Sequence, residues 1–361
     1  MQDFDLLRKY GWNEYWQNRF GDFGFNTSHA PNASQEFTPG RVIVEGTHVY
    51  RLVTKDGERL AEVSGKYRFA AQRRADYPTV GDWVVVQTGH ATDRASIHAL
   101  LPRRTCFQRK LAGTEIDSQI VAANVDYVWL VMAANDLNLR RLERYLVAAW
   151  ESQAIPVVVL SKADTIANHA DAIHSIEAVC PGVTVHMVSA ETGVGMEALL
   201  PYVSDGRTVA LLGSSGAGKS TIVNFLLGEV VQTVQAVRDA DQRGRHTTTQ
   251  RSLFPSAAGG LIIDTPGMRE LQLWHQESGV DGAFRDIESL AEDCAFRDCQ
   301  HQAEPGCAVR AAVAAGTLER ERLSNYDKMK RELAYMARKE DKAAQAAERS
   351  KWKKLSKARR R

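Results

Sequence analysis

Residues 208 to 227 read TVALLGSSGAGKSTIVNFLL: an apolar run, a glycine-rich turn, then an apolar-periodic segment. No other stretch constrains the chain as much. The run predicts a buried strand and the periodic segment a helix, which together demand an α/β layout. Between them Gly213, Gly218, Lys219 and Ser220 fill the fixed positions of a phosphate-binding loop, with Ser214, Ser215, Gly216 and Ala217 between the glycines and Thr221 following. Residues without a Cβ let successive backbone N–H groups turn inward around a polyphosphate. Lys219 would reach the outer phosphates, and Ser220 would ligate Mg²⁺.

Two further loops follow. Gly244-Arg245-His246-Thr247-Thr248-Thr249 precedes a strand pair, Arg251 to Phe254 and Leu261 to Ile263, and the second strand ends in Asp264-Thr265-Pro266-Gly267. Asp264 can hold the outer shell of Mg²⁺, Thr248 can join the inner one, and Gly267 offers a backbone N–H to a γ-phosphate. A D-x-x-G also makes an ordinary turn; its place after Lys219 gives it meaning.

Upstream, Asp126 to Ala133 and Pro156 to Leu160 are near-continuous apolar runs of the kind buried on both faces of a parallel sheet. The second ends in Ser161-Lys162-Ala163-Asp164. A later strand, Val183 to Val188, ends in Ser189-Ala190-Glu191-Thr192-Gly193. The Asp164 carboxylate can accept from both N1–H and the 2-amino group of guanine, whereas adenine sets an acceptor nitrogen against it. Lys162 would lay its stem across the base, and Ala190 would present its N–H to guanine O6. A phosphate-loop kinase or ATPase is the competing class, and Asp164 with the D-T-P-G loop argues against it.

The metal-binding pattern is equally compact. Cys294, Cys299, His301 and Cys307 give C-x4-C-x-H-x5-C, enough to close a tetrahedron around one structural Zn²⁺ with no open position. Its flanks, Gly279 to Leu290 and Ala308 to Leu318, read as helices too short to make a core alone. Cys106 and Cys180 read as packing residues.

These motifs together carry a resemblance. SKAD, SAETG, GSSGAGKS, the GRHTTT string and DTPG are the nucleotide motifs of a GTPase, with the base-reading loops ahead of the phosphate loop. With an N-terminal barrel and the cysteine cluster, residues 38 to 335 resemble the small-subunit-dependent GTPases known as RsgA, YjeQ or YloQ. The resemblance implies a circularly permuted GTPase with an oligonucleotide-binding barrel and a zinc domain. It also implies binding to the small ribosomal subunit and a role late in its assembly. Ser161 departs from the Asn of most small GTPases; a hydroxyl can still tie this loop to the phosphate loop, with fewer bonds. Met268 stands where well-studied GTPases carry a water-orienting Gln, so His246 becomes a catalytic candidate, its other reading being a phosphate or RNA contact.

Residues 1 to about 36 are aromatic-rich without clear period and end in a linker-like stretch. From Gly40, five short alternating runs predict a small barrel, and Lys66, Tyr67, Arg68, Phe69, Arg73 and Arg74 interleave bases with aromatics as a stacking surface would. From pattern alone an oligonucleotide-binding barrel and any other small barrel fit equally. We divide the chain into an extension (1–37), barrel (38–103), GTPase domain (104–275), helical zinc domain (276–335) and basic tail (336–361). From Arg320 to Arg361 there are 16 Lys/Arg against 6 Asp/Glu, although the whole chain carries only +2. Such a tail suits a polyanion such as rRNA. No apolar run approaches a membrane span, and the start lacks a signal-peptide pattern. A cytoplasmic monomer is expected, with GTP or GDP, the small ribosomal subunit and its rRNA as partners. The expected coupling runs from the loops that feel the γ-phosphate into the C-terminal domain, with the barrel hanging from the base-reading side. Alternatively, the chain is a nucleotide-gated rRNA-binding protein in which turnover is incidental.

Overall fold

Leu7, Trp12 and Trp16 are too irregularly spaced to announce a helix, yet all three are buried. Leu7 and Trp16 belong to two short helices, α1 (Asp5–Lys9) and α2 (Glu14–Gly21), and Trp12 lies in the turn between them, in a stretch whose sequence shows no clear period. Trp12 packs edge-on against Trp83 of the barrel, with ring centroids 4.8 Å apart. Burial of large aromatic area, not periodicity, orders this segment. The computed structural model describes residues 4–23, 36–46, 49–88, 94–110, 118–228, 251–264 and 277–335. The linker-like stretch, the GRHTTT and T-P-G loops and the basic tail beyond 335 lie outside them.

The alternating runs form β1 (Glu36–Glu45), β2 (Tyr50–Thr54), β3 (Gly57–Val63), β4 (Trp83–Thr88) and β5 (Ala95–Leu100). They pair in the order β1-β2-β3-β5-β4, and β4 returns to β1 to close the barrel. Every second side chain points inward, so Val42, Leu52, Ala61, Val84, Val86 and Ile97 fill the interior. A short helix, α3 (Gly65–Ala70), follows β3.

A hairpin of β6 (Cys106–Lys110) and β7 (Ser118–Ala123) leads into the α/β part. There follow β8 (Tyr127–Ala133), α4 (Leu139–Ser152), β9 (Ile155–Ser161), α5 (His169–Val179), β10 (Thr184–Met187), β11 (Thr208–Leu212), α6 (Lys219–Leu227), β12 (Arg251–Pro255) and β13 (Leu261–Asp264). The strand order is β10-β9-β8-β11-β13-β12, and all neighbours are parallel except β12. The loops after β9, β10, β11 and β13 therefore leave from one edge of the sheet, the edge where ligands sit in open α/β folds.

The barrel is not hung from the base-reading side. β1 pairs antiparallel with β12, the strand that follows GRHTTT, with Val44 opposite Ser252 and Glu45 opposite Arg251. Sequence order hid this, because the two strands lie far apart in the chain. Arg41 of β1 reinforces the joint: it is buried, donates to Tyr10 O, to Asn124 O at 3.3 Å and to Thr208 Oγ1 at 2.8 Å. One guanidinium thus links the N-terminal helices, the barrel and β11.

The C-terminal part consists of α7 (Glu277–Ala283), α8 (Arg285–Glu292), α9 (Ala308–Ala315) and α10 (residues 320–335). It is docked on α4. At Gly279 a Cβ would come within 2.3 Å of Glu151 Cγ and 3.0 Å of Val147 O, so only glycine allows this approach. Arg322 of α10 donates to Glu143 Oε1 of α4 at 2.6 Å and forks onto both Asp286 oxygens at 2.7 Å. Burial pushes the Glu143 carboxyl above its usual range, with the adjacent Arg322 charge opposing the rise. Among the described residues no helix is long and apolar enough to cross a membrane.

Candidate nucleotide site and metal cluster

The phosphate loop leaves β11 at Gly213, whose missing Cβ would lie 2.4 Å from Val131 O; any side chain there would push β8 and β11 apart. Gly216 and Gly218 adopt φ of 78° and 85°, the left-handed turns that aim backbone N–H groups into the loop. Lys219, the first residue of α6, folds its ammonium back onto Gly213 O at 2.6 Å and Ser214 O at 2.5 Å. Those carbonyls keep its charge solvated inside the loop. Ser215, Ser220 and Thr221 are exposed and Ser214 half-buried, whereas Ala217 is buried as a floor.

Ser161 ends β9 and its hydroxyl lies 2.6 Å from Ala217 O and 3.1 Å from Met132 O. The hydroxyl reaches over β8 and ties the S-K-A-D loop to the phosphate loop. Lys162 has a left-handed backbone, φ 56°, and a single turn covers Ala163–Thr165. The Ala163 N–H donates to Val188 O at 3.1 Å, which places S-K-A-D beside the loop that follows β10. That second loop is closed by Ser189, whose N–H donates to Val194 O at 2.8 Å while its hydroxyl accepts from the Thr192 N–H at 3.2 Å. Ala190 is half-buried and Asp164 exposed. Asp264 ends β13, which pairs with β11. Ser161 to Asp164, Ser189 to Ala190, Gly213 to Thr221 and Asp264 are thus gathered along one sheet edge. A Mg²⁺ ion would find the Ser220 hydroxyl in the first turn of α6, an oxygen donor suited to a hard cation.

The four metal-ligand candidates come together as closely. Their ligand atoms all lie within 4.8 Å of one another. Cys307 Sγ is 3.5 Å and Cys294 Sγ 3.7 Å from His301 Nδ1, and the two sulfurs are 3.9 Å apart. Zn–S of about 2.3 Å and Zn–N of about 2.0–2.1 Å at tetrahedral angles require separations of roughly 3.5–3.8 Å. The donor set therefore fits Zn²⁺. The Glu304 carboxylate braces the turn carrying two of these candidates, accepting from the N–H groups of Gln300 at 3.0 Å, Gln302 at 2.8 Å and Ala303 at 3.0 Å. Its own N–H and those three hold the carboxyl down to about 2.

The family model described as RsgA GTPase matches residues 100–274. A small ribosomal subunit biogenesis GTPase RsgA 1 of Oceanobacillus iheyensis is 46% identical over 88% of this chain and 91% of its own. The RsgA of Opitutus terrae is 44% identical over 97% of this chain and 95% of its own. The chain belongs to the RsgA family of GTPases. A second model, described as 50S ribosome-binding GTPase, matches residues 208–342. Among solved structures, YjeQ from Thermotoga maritima superposes with a TM-score of 0.61 at 27% identity, covering 82% of this chain and 99% of that one. YloQ, titled a circularly permuted GTPase, gives 0.59 at 23% identity over 86% of this chain and 97% of its own, and supports the fold.

Within this RsgA chain His246, Thr248 and Gly267 lie outside the described residues. In the barrel, Phe69 is 94% exposed, and Lys66, Arg68, Arg73 and Arg74 are exposed around it. Tyr67 is not offered as a stacking ring: it is half-buried and its hydroxyl donates to Asp76 O at 2.5 Å. Sequence reading missed Glu304 and His169, both of which hold a functional loop through its backbone. A lone carboxylate or imidazole beside a motif has no signature spacing to reveal such a role.

Proposed function

We propose that this chain is a GTP hydrolase that binds the small ribosomal subunit and assists its late maturation, with turnover stimulated by the subunit. The observation that carries the reading is the single sheet edge on which base-reading and phosphate-reading loops converge in permuted order. Family relatives named for small ribosomal subunit biogenesis along nearly their whole length supply the cellular context.

Guanine binds between S-K-A-D and S-A-E-T-G, with Asp164 accepting from N1–H and the 2-amino group and Ala190 donating to O6. Lys219 leaves its loop carbonyls for the outer phosphates, which the N–H groups of Gly213 to Ser220 surround. Ser220, Asp264 and Thr248 would hold Mg²⁺, which would neutralise charge on the phosphate oxygens. Gly267 meets the γ-phosphate, and His246 orients water in place of a thioether that cannot. Cys294, Cys299, His301 and Cys307 would hold one Zn²⁺, which would tie the C-terminal lobe together. The exposed Phe69 face and the basic tail contact rRNA. The protein works in the cytoplasm as a monomer. Because β12 follows GRHTTT and pairs with β1, γ-phosphate sensing reaches the barrel directly, and the angle between barrel and GTPase sheet is set at that seam. Met268 after D-x-x-G favours a second reading, in which nucleotide-gated rRNA binding matters and turnover is incidental.

Co-sedimentation with purified small subunits, using a non-hydrolysable GTP analogue, GDP or no nucleotide, tests the binding. Retention with the analogue at low salt that weakens with GDP and with added salt supports the proposal. Nucleotide-independent retention contradicts it.

A further inference from the structure

One side chain beside the base-reading loop has a role that the loop motif does not specify. Among the described residues the exposed Asp164 carboxylate has no hydrogen-bond partner, so where it points depends on its backbone. That backbone is held from several sides. The Ala163 N–H is bound to Val188 O, and Lys162 O accepts from the Thr165 N–H at 3.0 Å and its hydroxyl at 2.7 Å. The remaining anchor is His169, the first residue of α5. Its Nε2 lies 2.9 Å from Ala163 O, the carbonyl just before Asp164, and 3.1 Å from Ile166 O, two residues after it. Both neighbours are acceptors only, so Nε2 carries the proton and donates. α5 is itself fixed at this end by Asn168, whose side chain accepts from the Asp171 N–H. The imidazole therefore connects a capped helix to the carbonyl just before Asp164 and to the one two residues after it.

We propose that His169 is a positioning residue for guanine selection: by holding Ala163 O and Ile166 O, its Nε2–H aims the Asp164 carboxylate at the guanine edge. The inference rests on the reading of Asp164 given above. His169 touches no nucleotide itself, and its effect falls on interactions made by Asp164. Guanine makes two bonds to that carboxylate and hypoxanthine, which lacks the 2-amino group, makes one. Loss of aim costs GDP more than IDP.

The test is titration of GDP, IDP, XDP and ADP onto the wild-type chain and the His169→Ala, His169→Gln and Asp164→Asn variants, with thermal midpoints measured alongside. His169 is exposed, so His169→Ala removes no core packing. It should weaken GDP by roughly 10-fold, the scale of one lost hydrogen bond, and narrow the GDP-over-IDP ratio several-fold. His169→Gln, whose amide nitrogen reaches the Nε2 position, should restore most of both. Equal losses for GDP and IDP, or unchanged GDP affinity, would overturn the positioning role. Asp164→Asn tests the underlying reading separately: its amide complements the 2-oxo group of xanthine, so preference should move from GDP to XDP. If it does not, the guanine assignment of Asp164 fails, whatever the His169 variants do.

Discussion

The nucleotide cradle and the Cys/His cluster solve the same problem, bringing reactive groups together, with opposite means. The cradle draws on residues from Ser161 to Asp264, and a parallel sheet with Val128, Leu130, Val158 and Val209 buried behind it places them. The cluster draws on fourteen residues from Cys294 to Cys307. Each helix beside it buries little: Ile287 on α8, and Val309 and Ala312 on α9. The first site is shaped by the core before any ligand arrives. The second gathers four soft donors within a short turn, and Arg322 ties its lobe to α4.

The sharpest way to break this contrast is to remove the metal. Strong chelation, or Cys307→Ala, should release one zinc and raise protease cleavage within 277–335 by about 100-fold or more, since structural zinc binding is folding energy. GDP affinity should stay within about 2-fold, because separated sites act independently. Equal damage to both would erase the distinction.

Arg322→Ala should come next in size. It leaves the Glu143 carboxylate buried without its cation, at a cost of about 3–5 kcal/mol read by chemical denaturation, whereas Arg322→Met with Glu143→Leu should recover much of it. A loss below about 1 kcal/mol would mean that the C-terminal lobe is not held by this pair.

A smaller effect sharpens the picture of the cradle. Ser161→Ala strips the hydroxyl from Ala217 O, and GDP affinity should fall about 5- to 10-fold while zinc content stays unchanged. The smallest effect is acid sensitivity. Burial holds the His186 imidazole below its ordinary value of 6.5, and its Nε2 lies 2.9 Å from the Tyr202 hydroxyl. A depressed histidine contributes stability above pH 6.5 that is lost as pH falls through its folded value. The thermal midpoint should drop between pH 7.5 and 5.5, and His186→Gln should flatten that slope.

Much of this was legible in the sequence, for reasons that differ by region. The strands β8, β9 and β11 announce themselves because both faces are buried and the runs are unbroken. The phosphate loop and the cysteine spacing are legible because backbone sterics and tetrahedral ligation fix residue type and interval. Hidden were contacts between elements distant in the chain. Glu143 sits on an amphipathic helix and reads as a solvated charge, although its partner Arg322 comes 179 residues later. The β1–β12 seam joins strands with no shared signature, and a helix as short as α1 cannot display a period. His169 and Glu304 act on backbone groups, which any polar residue can do.

The central claim is that this sheet edge reads guanine and hydrolyses GTP under the control of the small subunit. Steady-state hydrolysis, with and without purified small subunits and with ATP as the control substrate, tests it most directly. The account predicts slow GTP turnover that rises by about 100-fold or more with subunits, while ATP is left untouched. Equal rates with and without subunits, or comparable hydrolysis of ATP, would contradict it.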